Sequence, residues 1–242
     1  MRQAILSDIH GNLEALHQVL RRVEREKCDR ILCLGDCVGY GPFPSECVDL
    51  LYRSCTVVLA GNHDYGLLGW TSTESFNEFA RRALRVSAPL MTEQTLEQLR
   101  NSPLTWQDAK VFCVHATPLD PESWHYLLSI YDADIQWNVF SQSLGFFGHT
   151  HTPMAICQTA QRHTVQRTAA DLQLQPGERY LLNVGSVGQP RDGNPDACFV
   201  VHDVDEQRVR WVRVPYDIDA TQRAMQQLRI PEFLIRRLTF GH

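Results

Sequence analysis

The chain has 242 residues, 43% of them hydrophobic and 21% charged, a composition that supports a sizeable buried core and excludes a disordered protein. Its 23 basic and 28 acidic residues leave a net charge of −5, with no basic run longer than a pair of arginines, which excludes a dedicated nucleic-acid binder. No stretch approaches the roughly 20 apolar residues that span a bilayer, so no membrane partner is expected.

The opening "MRQAILSDIH" is a short apolar run stopped by Asp8, and reads as a first strand rather than a leader. The segment "LEALHQVLRRVEREK" follows, with Leu13, Leu16, Leu20 and Val23 on one helical stripe and Asn12 at the N-cap position. Next come a buried strand "RILCLGD", a Gly/Pro loop, the short helix "SECVDLLYRS" and a third strand "TVVLAGNHD". Strands joined by short helical crossovers predict a parallel sheet covered on both faces. Residues 65–109 read as mainly helical, and strand signals return at "AKVFCVHATP" and "LGFFGHTHTP". Beyond these, "GERYLLNVGSVG", "ACFVVHDVD" and "RVRWVRVPYD" alternate like antiparallel strands, and a last helix carries a break at Pro231. One α/β domain over residues 1–242 with two sheets is expected, residues 65–110 and 117–144 being helical or lid insertions. The aromatic segment 123–137 is expected to pack onto the core rather than to stack a substrate ring. Eight cysteines, two of them (Cys33 and Cys113) inside apolar runs, read as buried reduced thiols of a cytoplasmic protein rather than disulfides or structural zinc.

Metal-ligand residue types stand at the C-terminal tips of these strands: Asp8 and His10, Asp36, Asn62 to Asp64, His115, and His149 with His151. Strand C-termini form the ligand crevice of a parallel α/β sheet, so residues far apart in sequence can converge there. Aspartate, asparagine and imidazole without thiolate suit Mn, Fe, Co, Ni or Zn. Some seven ligands exceed the three that a tetrahedral catalytic ion takes, and imply two ions about 3.5–4 Å apart. On an extended strand His149 and His151 would share a face roughly 6.6 Å apart, too wide for a tight chelate on one ion.

The ordered blocks Asp8-Ile-His10, Gly35-Asp36, Gly61-Asn62-His63-Asp64, His115 and Gly148-His149-Thr150-His151 resemble the calcineurin-like metallophosphoesterases, and "NVGSVGQPRDG" resembles the tail of their small prokaryotic-type members. The resemblance implies a four-layer α-β-β-α sandwich in which two mixed β-sheets are flanked by helices. It also implies hydrolysis of phosphomonoesters or phosphodiesters at a dinuclear centre, with manganese the leading ion. Asp8, His10 and His151 would then hold one ion, and Asn62, His115 and His149 the other. Asp36 would bridge them with its two carboxylate oxygens, a bridging hydroxide would attack phosphorus, and His63 would assist the leaving group as acid or charge stabiliser.

Where the protein-phosphatase branch continues its second block with an acid and an arginine, this chain has Gly39 and Tyr40. That weakens a protein Ser/Thr phosphatase reading and leaves open what orients His63. Arg191 is the candidate phosphate contact, and Asn12 is a candidate substrate contact as well as a helix cap. The expected partner is a small phosphorylated substrate, a nucleotide or diadenosine polyphosphate among the candidates; oligomeric state is open. The competing readings are a non-catalytic interaction module on the same fold and a β-lactamase-like dinuclear hydrolase, whose H-x-H-x-D-H run is absent here.

Overall fold

The computed structural model describes residues 1–242. In chain order the elements are β1 (Arg2–Leu6), α1 (Leu13–Arg25), β2 (Arg30–Cys33), α2 (Pro44–Ser54), β3 (Val57–Val58), α3 (Asn62–Leu68), α4 (Glu78–Ser87), α5 (Glu93–Arg100), β4 (Thr105–Gln107) and β5 (Val111–Val114). There follow α6 (Ile130–Asp134), β6 (Leu144–Phe147), β7 (Met154–Gln158), β8 (Thr164–Arg167), β9 (Asp171–Gln173), β10 (Arg179–Asn183), β11 (Ala197–Asp203), β12 (Arg208–Val214), α7 (Ile218–Gln227) and α8 (Glu232–Phe240). Helix α1 starts where its cap residue dictates: Asn12 Oδ1 accepts the Ala15 N–H at 3.1 Å. Pro44 opens α2, where a missing N–H costs nothing. No helix is long and apolar enough to cross a membrane.

Two six-stranded mixed sheets result, ordered β3-β2-β1-β11-β12-β9 and β4-β5-β6-β10-β7-β8. Strands β1, β2 and β3 run parallel, as do β5, β6 and β10, while β11 and β7 join them antiparallel. Side chains alternate across each strand, which divides the core into layers. Ile5, Leu32 and Val200 face Cys113, Leu144, Phe146 and Leu182 between the sheets. Ala4, Leu6, Cys33 and Phe199 point the other way, under Leu16, Val19 and Leu51 of α1 and α2. Phe112, Phe147 and Leu181 are covered by Leu127, Ala133, Trp137 and Phe140. The order is therefore helix, sheet, sheet, helix.

The first sheet is covered on both faces as expected, by α1 and α2 on one side and the second sheet on the other, and β11 makes it mixed rather than wholly parallel. The third strand is also shorter than its apolar run: pairing stops at Val58, and Asn62 already opens α3. Pro231 separates α7 from α8 as expected.

A buried polar chain ties β1 to β2 and β11. Arg30 Nε donates to Gln3 Oε1 at 2.6 Å, so Gln3 Nε2 is the donor to His202 Nδ1 at 2.7 Å. Burial pushes His202 down to about 4, against about 6.5 in an unfolded chain. Between those values the unfolded state holds the proton and the folded state does not. Stability is therefore intact above about 6.5 and falls as pH drops toward 4. The loss attributable to His202 is expected to approach the order of 3 kcal/mol at 1.36 kcal/mol per unit. Urea midpoints measured in chelator between pH 7.5 and 4.5 should fall more steeply for the native chain than for His202→Asn, which keeps an acceptor for Gln3. Equal slopes would assign the effect elsewhere.

Candidate metal centre

Every ligand-type residue lies at the end of a parallel strand. Asp8 and His10 follow β1, Asp36 follows β2, Asn62 follows β3, His115 follows β5, and His149 and His151 follow β6. They do not continue those strands. Asp8, His10, Asp36, His149 and His151 all have left-handed backbones, with φ of 54°, 49°, 52°, 65° and 60°. The extended same-face geometry expected for His149 and His151 is thus corrected: β6 ends at Phe147, and the chain turns sharply at both histidines. A non-glycine residue held there costs on the order of 1–3 kcal/mol, and this strain is concentrated on the functional loops.

Asp8, His10, Asp36 and His151 bring one ligand atom each within 4.8 Å of one another, and Asp36, His115 and His149 do the same. The tautomers follow from the carbonyls, which can only accept. His10 Nδ1–H donates to Val38 O at 2.9 Å, His151 Nδ1–H to Gln189 O at 2.7 Å, and His115 Nδ1–H to Leu34 O at 3.0 Å. His149 is reversed, donating Nε2–H to Trp124 O at 3.0 Å and leaving Nδ1 free. Such outer contacts fix ring orientation and raise ligand basicity. The Nε2 atoms of His10 and His151 then meet at 3.1 Å with no proton left for either, and Asp8 Oδ1 beside them has no donor. Buried lone pairs converging on one point fit a cation.

Asp36 joins the two groups through one oxygen. Its Oδ2 lies 3.5 Å from His10 Nε2 and 3.4 Å from His115 Nε2, whereas Oδ1 accepts the His63 N–H at 2.8 Å. His115 Nε2 also lies 3.3 Å from Asn62 Oδ1, which brings Asn62 to the second group. Burial disfavours charge on His10, His149 and His151, and all three are lowered, His149 to about 3. Burial opposes charge on His115 too, but the Asp36 and Asp8 carboxylates outweigh it and raise the ring to about 9. That proton answers the same negative charge that a divalent ion would.

His63 is the second residue of α3 and carries no ligand atom in either group. Its Nδ1 is buried without a partner, and burial pushes the ring down to about 4. Packing orients it: Tyr40 and His10 approach to 4.6 and 4.8 Å, and Phe76 to 5.2 Å. Gly39 completes the slot. A Cβ there would stand 2.4 Å from His63 Nδ1. The adjacent Asp64 is a clasp, accepting backbone N–H groups from Cys37, Val38 and Gly61 at 2.9–3.2 Å. It thereby ties the Asp36 loop to the start of α3.

The tail segment braces these loops. Asn183 Nδ2 donates to Gly148 O and Thr150 Oγ1, Ser186 Oγ donates to Asp8 O, and Gly188 N–H donates to Asp8 O. Asn12 takes part in this bracing: its Oδ1 takes Ala15 N–H and Thr221 Oγ1–H while Nδ2 donates to Gly188 O. Arg191 lies beside the centre, its guanidinium 5.6 Å over the Tyr40 ring, with Nη2 on Gln189 Oε1 and Nε buried without a partner. Arg237 on α8 is a second guanidinium that sequence reasoning misses. It donates to His242 O and lies 5.3 Å from the Phe233 ring, and burial with the nearby Arg191 charge lowers it to about 10. No local pattern marks it, because its place depends on how α8 packs around Leu234, Ile235 and Leu238.

A cavity of about 370 Å³ opens on the His63 and His149 side. One wall is the loop before α4, with Phe76, and the other is the loop around Trp124 and Tyr126. Trp124 and Asp120 both adopt left-handed φ, turning the Trp124 carbonyl toward His149. The packing expected of segment 123–137 therefore holds for Trp137, which is 3% exposed, and not for Tyr126, which is 54% exposed and stacks on His149 at 4.3 Å.

Known proteins share this architecture. The profile of the calcineurin-like phosphoesterase superfamily domain matches residues 1–207. An uncharacterized protein of Methanocaldococcus jannaschii is 37% identical over 243 residues, covering 98% of this chain and 97% of its own. Phosphodiesterase YfcE of Escherichia coli K12 is 25% identical over 202 residues, covering 81% of this chain and 84% of its own. A metallophosphoesterase structure from Sphaerobacter thermophilus superposes with a TM-score of 0.88 at 37% identity, covering 100% of this chain and 99% of that one. With these matches added to the buried Asp/His cluster, the chain belongs to the calcineurin-like phosphoesterase superfamily and is a metal-dependent phosphoester hydrolase.

Proposed function

We propose that the centre holds two divalent transition-metal ions, manganese foremost, and hydrolyses phosphodiesters or phosphomonoesters of a small metabolite in the cytoplasm. The observation that carries this reading is the pair of donor sets meeting at Asp36 Oδ2. Asp8, His10 and His151 would hold one ion, and Asn62, His115 and His149 the other. Asp36 would be the residue shared by both sets, its carboxylate further held by the His63 N–H that donates to Oδ1. Divalent ions supply Lewis-acid polarisation of the phosphoester and activation of water as the nucleophile.

The chain's own groups do the rest. Arg191, with an uncommitted Nε, takes phosphate oxygens, which suits a guanidinium fork. His63, held between Gly39, Tyr40 and Phe76, faces the leaving group from the cavity and hands it a hydrogen bond. The cavity volume lies within the roughly 300–1,000 Å³ typical of small-ligand sites, in keeping with a metabolite.

Metal-stripped protein assayed on bis(p-nitrophenyl) phosphate should be inactive, and Mn²⁺ should restore turnover. Turnover unaffected by chelation would end this reading.

A further inference from the structure

The sides of the cavity next to His63 and His149 are aromatic, and the metal chemistry does not use them. Phe76 stands 5.2 Å from the His63 ring, and Tyr126 lies flat on His149 with ring planes 24° apart. Trp124 and Tyr40 extend the two walls, and Ser75 and Asn77 bring polar groups to one end. These rings are not core residues displaced outward. The same segment buries Leu127, Trp137 and Phe140 in the outer layer while leaving Tyr126 more than half exposed over the site. Holding Trp124 in a left-handed conformation keeps its side chain on the cavity wall while its carbonyl fixes His149. A flat ring slotted between such walls gains stacking on π-faces whatever its hydrogen-bond pattern.

We propose that this cavity is a stacking subsite for a nucleobase, so that the preferred substrates are phosphoesters of nucleosides with the base held between Phe76 and the Tyr126–Trp124 wall. The inference rests on the phosphoester reading of the centre. It adds that specificity resides in two loops, residues 75–77 and 123–126, outside the ligand set. A sugar phosphate without a base would engage the centre but leave the walls uncovered.

The test compares adenosine 5′-monophosphate with ribose 5-phosphate by calorimetric titration of Mn²⁺-loaded protein, with adenosine alone as a third probe. The nucleotide is expected to bind at least about tenfold more tightly than the sugar phosphate, in line with one stacked base. Tyr126→Ala and Phe76→Leu should each shrink that ratio severalfold, whereas Tyr126→Phe should preserve it. Equal affinities in the native chain would overturn the subsite, and so would a loss in Tyr126→Ala that is the same for both ligands. Adenosine binding unaccompanied by any hydrolysis or phosphate dependence would keep the subsite and sink the phosphoester reading instead.

Discussion

Asp36→Asn protein is expected to fold normally, to lose its metal, and to hydrolyse bis(p-nitrophenyl) phosphate at least on the order of 10³-fold more slowly, about 4 kcal/mol of barrier at 1.36 kcal/mol per tenfold. The substitution preserves shape. An amide oxygen can still accept the His63 N–H that Oδ1 accepts now. The NH₂ would then replace Oδ2 and point at the Nε2 lone pairs of His10 and His115, 3.5 and 3.4 Å away. Those contacts turn favourable only when no cation is present. Burial disfavours charge on Asp36, but the His115, His63 and His10 rings outweigh it and hold the carboxyl well below its usual range, so the metal-free fold loses a favourable pairing. Metal content by atomic emission should collapse while the variant stays folded in chelator, with a melting temperature modestly lowered by the lost Asp36–His115 pairing. Native metal content in this variant would show that Asp36 is not the shared ligand.

Gly39→Ala is expected to damage turnover without emptying the centre. Gly39 has φ of +84°, and a Cβ would fall 2.4 Å from His63 Nδ1. The methyl group must displace the ring, because Tyr40 and Phe76 hold its other sides. If His63 serves the leaving group, kcat should fall by about 10²–10⁴, the usual share of a positioned proton donor or acceptor. His63→Ala should cost a similar factor, and the double variant should cost no more than either alone, since both remove one function. Multiplying losses, or a native kcat in Gly39→Ala, would separate Gly39 from His63 and leave the ring's orientation to other contacts.

The strand-and-helix order to Ser54 was readable because local rules sufficed there. An apolar stripe and the Asn12 cap define α1, and buried runs define β1 and β2. The ligand blocks were readable for a related reason, since each sits just past an apolar strand. The pairing of β1 with β11 was not, because some 200 residues separate the partners and no local signal reports it. The short strands β4, β8 and β9 have three or four residues each, too few for periodicity to register. The turns at His149 and His151 carry no sequence signal, because left-handed backbone is expected of glycine, and here histidines adopt it. Tyr126 and Arg237 depend on loops and helices packing over the centre, a distinction that composition does not carry. Asn12 joins both kinds: its cap bond to Ala15 follows from local rules, whereas its Nδ2 bond to Gly188 O depends on how the tail packs.

The five left-handed residues of ligand type also set a direction for drift. At Asp8, His10, Asp36, His149 and His151, the residue that the proposed centre uses is one the backbone disfavours. Once selection for hydrolysis lapses, glycine or asparagine at these turns relieves the backbone, so decay of the centre proceeds downhill. A relative that has become a pure scaffold should therefore betray itself by Gly or Asn at these positions before its core changes. Restoring the ligands to such a relative should lower its stability in chelator and return it on adding metal.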